Sequence, residues 1–241
     1  MKKSFFNLKI DVLDTGEVLS KCNDFFLSEK PNTIFFLNAH CFNIAQKTPE
    51  YFTSLLNTDL LLNDGIGIKL ASHLTKIRFK ENLNGTDLIP QILDLAAQLD
   101  KKAFFLGGKD GIAEKAALHT TKSKQGLDIV GYHSGYFDSE QEMEIIEKIN
   151  ESYADLLILG MGVPKQEIWA KEKKTILKNV KIIIAGGAIL DFLSGEVKRA
   201  PLWLRKINME WLYRLYLEPK RMWKRYLLGN IKFFYYVMKL A

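Results

Sequence analysis

Asp155–Ala170 reads DLLILGMGVPKQEIWA, and the fold class follows from it. Asp155-Leu-Leu-Ile-Leu159 is a short apolar run of the length expected for a buried strand. Gly160-Met-Gly162 breaks the run. Pro164 then stands where a helix begins, its fixed φ and missing N–H suiting a first turn. Polar Lys165, Gln166 and Glu167 follow, and Ile168 and Trp169 resume an apolar face. Strand, glycine turn and helix start in this order make a half-site for an anionic ligand, because free N–H groups and the helix dipole point outward there. An ordinary βα turn has the same pattern, so the glycines alone leave both readings open.

Outward from this stretch the pattern repeats. Thr33–Leu37 ends at Asn38, and Asp59–Leu62 ends in Asn63-Asp-Gly-Ile-Gly67. Lys102–Leu106 ends in Gly107-Gly108, Leu127–Tyr132 is a further strand, and Val180–Ala185 ends in Gly186-Gly187. Helical segments of about 10–15 residues separate them, which predicts βαβ units, a mostly parallel sheet and a Rossmann-like α/β class. Ligands of such sheets bind beyond the carboxyl ends of the strands, where these loops should converge. A strand is expected at Phe5–Val12 and an amphipathic helix at Val18–Ser28. Helices are expected at Ala39–Gln46, from Thr48-Pro49-Glu50, and at Ile68–Leu74. Thr86 or Asp87 should cap Leu88–Leu99, and a Ser139-x-x-Glu142 box should open Ser139–Ser152.

Of 241 residues, 47% are hydrophobic and 26% charged, which excludes a disordered chain. Cys22 and Cys41 show no disulfide or zinc spacing and fit a reducing cytosol. No secretory signal and no bilayer-spanning apolar run is expected. The net charge of +6 is uneven: Glu196–Ala241 carries 11 Lys+Arg against 3 Asp+Glu, so the rest of the chain is slightly acidic. We therefore divide the chain into a core, 1–195, and a basic, aromatic-rich helical appendage, 196–241. The appendage should form two proline-initiated helices, Pro201–Leu217 and Pro219–Leu240, the second bent near Gly229. Trp203, Trp211, Trp223 and Phe233-Phe-Tyr-Tyr236 alternate there with basic residues, as in segments that lie in a membrane interface. Single-stranded nucleic acid also binds such stretches, and the helices could equally cap the sheet. No nucleic-acid motif is present, and nucleic acid is not expected as a partner.

Asp64 leads the acid–base candidates, since a strand end followed by glycines projects its carboxylate into the crevice; an Asx turn is the competing use. Asn38 could bind ligand or cap a helix. Lys165 and Gln166 could hold substrate or face solvent. Gly107-Gly108 is only part of a dinucleotide fingerprint, which weakens the alternative of a nucleotide-dependent oxidoreductase or epimerase. His40, His73, His119 and His133 lack metal-like spacing and read as structural or surface groups. Lys198, Arg199, Arg205, Arg214, Arg221 and Arg225 could clamp a diphosphate, guanidinium matching phosphate geometry.

Taken in order, several segments resemble the WecG/TagA/CpsF family of bacterial glycosyltransferases. They are Asn63–Gly67, Asn84-Gly-Thr-Asp87, Phe105–Lys109, Gly160–Glu167, Gly187–Phe192, Gly195–Pro201, Glu210–Arg214 and Glu218–Arg221. The resemblance runs from about Thr33 to Tyr226. It implies an inverting enzyme, cytoplasmic and peripheral at the inner face of the membrane. Such an enzyme moves a sugar from a nucleotide sugar, typically UDP-linked, onto a polyprenyl-diphosphate-linked sugar, and no metal or other cofactor is expected. It assigns the base to Asp64 and substrate binding to Asn38 and Gln166; with Lys165, the residues Asn84, Thr86, Asp87, Gly107, Gly108 and Gly162 of the matching segments are further substrate-binding candidates. It assigns the lipid diphosphate to Arg214, Arg221 and Arg225, and Arg199 of the basic set is a further candidate for the diphosphate or membrane. Two positions depart from the family pattern: Phe36 replaces a frequent Thr, and Asn82 a frequent Arg. Both are expected near the pocket, so N-acetylmannosamine is one donor sugar beside a hexose or hexuronic acid, for teichoic acid, capsule or exopolysaccharide.

Overall fold

A computed structural model describes residues 2–206 and 209–241, without the side chains of Lys206 and Arg221. The chain opens with β1 (Lys2–Phe5), β2 (Leu8–Asp11) and α1 (Thr15–Phe26). It continues through β3 (Asn32–Leu37), α2 (Ala39–Ala45), α3 (Pro49–Leu56), β4 (Leu60–Asn63), α4 (Ile66–Ala71) and α5 (Gly85–Gln98). Then come β5 (Lys102–Gly107), α6 (Ile112–Ser123), β6 (Asp128–His133), α7 (Ser139–Glu151), β7 (Leu156–Gly160), α8 (Lys165–Lys173), β8 (Ile182–Ala185) and α9 (Ile189–Leu193). The C-terminal segment holds α10 (Leu202–Lys206), α11 (Glu210–Leu217), α12 (Pro219–Trp223), a π-helical turn at Lys224–Leu228, and α13 (Gly229–Leu240).

Six strands form one sheet in the order β4-β3-β8-β7-β5-β6, every pair parallel. The Rossmann-like expectation holds. Burial on both faces explains why the central strands are apolar throughout rather than alternating. Alternation instead divides the core in two. Phe35, Leu37, Leu61, Leu157, Leu159 and Ile183 pack on one face with β1, β2, α2, α3, α7 and α8. Ile34, Phe36, Leu62, Leu156, Ile158 and Ile184 pack on the other with α1, α5, α6 and α9. β5 leads outward to β6 on one side, while β7 leads to β8 on the other. Their carboxyl ends therefore lie where the connections diverge, the usual location of a ligand crevice.

Several local expectations are corrected. Phe5–Val12 is not one strand: it holds the last residue of β1, the hairpin turn and β2, because Phe6 adopts a positive φ of 52° and reverses the chain. The hairpin covers the edge of β4: buried Asp11 accepts the Leu61 N–H at 3.0 Å, satisfying a group that an edge strand leaves open. Asn84, not Thr86 or Asp87, caps α5, its Oδ1 accepting from Asp87 N at 2.9 Å. The box opening α7 is Asp138 with Gln141 rather than Ser139 with Glu142, an aspartate cap being as good an acceptor as serine. Pro164 is the cap of α8, whose first helical residue is Lys165. Pro201–Leu217 divides into α10 and α11, with 207–208 outside the described residues. The change of helical form in the last segment precedes Gly229 and occupies Lys224–Leu228.

The end of the chain is packed against the sheet domain. Phe233 and Val237 of α13 are buried in the first core cluster, and the Phe233 ring meets Phe42 edge-on at 5.4 Å. Buried Asn43 donates to the Gly229 carbonyl at 2.7 Å. Other large apolar side chains of this segment, including Trp223, Leu227, Ile231, Phe234 and Tyr235, remain exposed. Among the described residues, no helix is long and apolar enough to cross a membrane.

Candidate active site

β4 ends at Asn63, and the next residue, Asp64, stands at the carboxyl edge of the sheet with its N–H on the Leu37 carbonyl of β3 at 2.9 Å. Two asparagines fix it. Asn38 caps α2 through Oδ1, which accepts from Cys41 N at 3.0 Å, and its Nδ2 donates to Asp64 Oδ2 at 3.2 Å. Asn82 Oδ1 accepts from Gly65 N at 2.6 Å and holds the following glycine. Asn38 is thus a helix cap, as one of its two sequence readings has it, and is also bonded to Asp64. Burial pushes the Asp64 carboxyl above the usual carboxylate range, against the Asn38 hydrogen bond and the nearby Arg225 and Arg214 charges.

Two cavities meet at this carboxyl. One, of about 480 Å³, is walled by the loops after the parallel strands: Gly108-Lys109, Gly135-Tyr136, Gly160–Val163 and Ala185–Ala188, with Phe36, Lys165 and Gln166. Its size is that of a small-molecule site. The other lies between the sheet domain and the C-terminal helices, where Ile66, Leu70, Trp211, Tyr226, Phe233 and Phe234 mix with Arg205, Glu210 and Asn230. Asn38, His40, Asp64, Thr86, Arg214 and Arg225 line both. Polar loops on one side and an amphipathic crevice on the other leave Asp64 at their junction.

The glycine loops are tied together by one side chain. Gln166 is 1% exposed; its Oε1 accepts from Gly162 N at 3.2 Å and Gly187 N at 3.1 Å, and its Nε2 donates to Glu167 Oε1 at 2.8 Å. The structure thus brings Gln166 to the cavity and engages its amide with the loops. Lys165 Nζ reaches the Gly135 carbonyl at 2.9 Å and lies over Phe137. Gly107 lines neither cavity: a Cβ there would stand 2.4 Å from the Gly160 backbone, so this contact between β5 and β7 admits only glycine. Gly107→Ala is expected to cost about 3 kcal/mol, read as a lowered urea midpoint at unchanged m. At Gly162, where φ is +80° and no atom lies within 4 Å of a Cβ, alanine should cost only about 1 kcal/mol.

A charged strap joins the C-terminal segment to the start of α5. Pro90 inside α5 has no N–H, so the Thr86 carbonyl lacks its helical donor. Arg199 Nη1 donates to that carbonyl at 3.3 Å and also to Asp87 Oδ1, while its Nη2 bonds Glu210 at 3.1 Å. Arg205 Nη1 adds a bond to Asp87 at 3.2 Å. Burial would raise the Asp87 carboxyl, but the bonds from Arg199 and Asn84 hold it below its usual range. Of the residues assigned from sequence, Asn38, Asp64, Asn84, Thr86, Asp87, Gly108, Gly162, Lys165, Gln166, Arg214 and Arg225 line the two cavities. Arg199 does not; it belongs to the strap. Arg221 lies in α12, but its side chain is outside the described residues.

His40 corrects its sequence reading: it is half-buried at the junction of both cavities, and burial, with Arg225 beside it, lowers its pKa to about 4. Glu167, Arg205, Glu210 and Trp211 are further residues of the site. The departures Phe36 and Asn82 do border the cavities, one in each. Among the described residues, no group of three or more His, Cys, Asp or Glu side chains could hold a metal ion.

A family model described as the WecG/TagA/CpsF family of glycosyl transferases matches residues 3–241. The chain belongs to this family. It is therefore a glycosyltransferase, and the match includes the C-terminal strap and helices. Relatives include the N-acetylglucosaminyldiphosphoundecaprenol N-acetyl-beta-D-mannosaminyltransferases of Bacillus spizizenii and Bacillus subtilis. Each is 32% identical over 183 residues, 76% of this chain and 70% of the relative. The Staphylococcus aureus protein of the same name is 28% identical over 233 residues, 93% of this chain and 88% of its own.

Proposed function

We propose that the protein transfers N-acetylmannosamine, with inversion, from a UDP-sugar to N-acetylglucosamine carried on a polyprenyl diphosphate. This transfer belongs to cell-surface polysaccharide or teichoic acid assembly. The observation that carries the reading is the placement of Asp64 where a polar, glycine-walled cavity meets an amphipathic one. The first suits a nucleotide sugar, whose diphosphate would face loop N–H groups and Lys165. The second suits a lipid-linked sugar, with Arg214 and Arg225 near its diphosphate and aromatic side chains beside its lipid.

In this mechanism Asp64 takes the proton of the acceptor hydroxyl. The oxygen attacks the anomeric carbon as the bond to the nucleotide diphosphate breaks, and UDP leaves with both bonding electrons. A single displacement needs one base and no covalent intermediate. The loop amides and Arg214 meet the charge that develops on the leaving group. Arg199 acts through the strap, holding α11 and its Arg214 against the core, and Arg221 extends the basic surface. No metal takes part. The protein works at the cytoplasmic face of the membrane, where exposed Trp223, Leu227, Ile231 and Tyr235 and basic side chains of the same helices contact lipid.

A thermal-shift panel tests the donor. UDP-N-acetylmannosamine at a hundred times its Kd should add about 2.7 kcal/mol of stability and raise the melting temperature, while NADH should not. A shift with nicotinamide nucleotides and none with UDP-sugars would reject the reading.

A further inference from the structure

We propose that Glu167 is a positioning residue for the diphosphate cavity, fixing the Gln166 amide so that its carbonyl draws the loops after β7 and β8 together. This deepens the proposed function and rests on it, since the cavity must hold a nucleoside diphosphate. Two backbone donors, Gly162 N and Gly187 N, converge on Gln166 Oε1. The amide can satisfy both only with its oxygen toward them, which turns Nε2 away and requires an acceptor on the far side. Glu167 Oε1 is that acceptor at 2.8 Å. An apolar residue in its place would leave a buried N–H unpaired and free the amide to rotate.

The carboxyl that does this is itself unusual. Glu167 is 1% exposed, and its Oε2 has no hydrogen-bond partner among the described residues. Among the described residues, no arginine or lysine is bonded to it. Burial pushes it up to about 8, so it is a neutral acid at pH 7. Cys41 of α2 and Tyr51 of α3 face it, and burial holds both neutral, the thiol near 11 and the phenol well above its ordinary value. Lys165, Asp64, Asp191, Arg214, Arg225 and the neutral His40 line the same cavity.

An anionic diphosphate above this acid makes its ionisation still harder. Nucleotide affinity is therefore full below about pH 8. It falls as pH rises through that value, by up to about tenfold per unit until the bound form also ionises. Glu167→Gln keeps an acceptor for Gln166 and cannot ionise; Glu167→Leu keeps neither property.

The experiment is calorimetric titration of uridine 5′-diphosphate into the full chain between about pH 7 and pH 9. Wild type, E167Q and E167L are compared, with the melting temperature of each recorded. Ionisation of the ligand is common to all three and cancels. Expected are wild-type affinity at pH 7 in E167Q without the wild-type decline above pH 8, and about tenfold weaker binding in E167L. Wild-type affinity in folded E167L, or in E167A should E167L not fold, would overturn the positioning role of Glu167 and leave the proposed function standing. Absence of uridine diphosphate binding to folded wild type would overturn the reading of the cavity and this proposal together.

Discussion

Asp64→Asn is expected to lower kcat by about two to four orders of magnitude while leaving nucleotide-sugar binding nearly unchanged. The amide keeps the size of the side chain and an oxygen for Asn38 Nδ2, so the junction of the two cavities should hold its shape. What it loses is the ability to take a proton. Because burial raises the Asp64 carboxyl and only the ionised form is a base, turnover in the wild type should be full at higher pH. It should fall as pH drops through a value above the ordinary carboxylate range. Asn38→Ala removes a hydrogen bond that favours the ionised form and should move this acid limb further up. Steady-state rates across pH with a lipid-linked acceptor check both. Near-normal turnover of folded Asp64→Asn would remove Asp64 from the mechanism.

Phe233→Ala should be the most damaging substitution in the C-terminal segment, costing about 3–5 kcal/mol. The ring is 0% exposed, packs edge-on against Phe42 at 5.4 Å and Phe234 at 5.5 Å, and also borders the amphipathic cavity. Removing it opens a hole in the core and loosens the wall against which the lipid-linked acceptor would rest. The acceptor KM should therefore rise while the donor KM stays near its normal value. Exposed Phe234→Ala should cost under about 1 kcal/mol. Urea denaturation separates the two, and equal effects would mean that α13 is not docked in solution as it is in the structure.

What was legible in the sequence follows from how local each signal is. Leu156–Leu159 and Ile182–Ala185 read as strands because a strand buried on both faces is apolar at every position. The glycine loops alone read equally as ordinary βα turns, and it is their convergence with Asn63–Gly67 and the basic tail that reads as a site. The β1–β2 hairpin was not legible: its reversal depends on Phe6 at positive φ, a conformation that phenylalanine does not advertise. The Arg199 strap depends on a carbonyl freed by Pro90, more than a hundred residues away. Glu167 stands in a helix first turn, where a glutamate ordinarily meets solvent and the helix dipole. Its burial comes from α2 and α3 folding over it, a tertiary fact. The position of His40 is hidden for the same reason, since isolated spacing says nothing about a cavity mouth built by Arg225 from the other end of the chain.

The most direct test of the central claim is to supply purified protein with UDP-N-acetylmannosamine and a short-chain polyprenyl-diphosphate N-acetylglucosamine, then analyse the lipid product by mass spectrometry and its anomeric configuration by NMR. The expected result is addition of one N-acetylhexosamine in a β linkage, with one UDP released per sugar transferred and transfer by Asp64→Asn at least about a hundredfold slower. Donor binding without any sugar on the lipid, or an α-linked product, would contradict a single displacement at the junction of the two cavities.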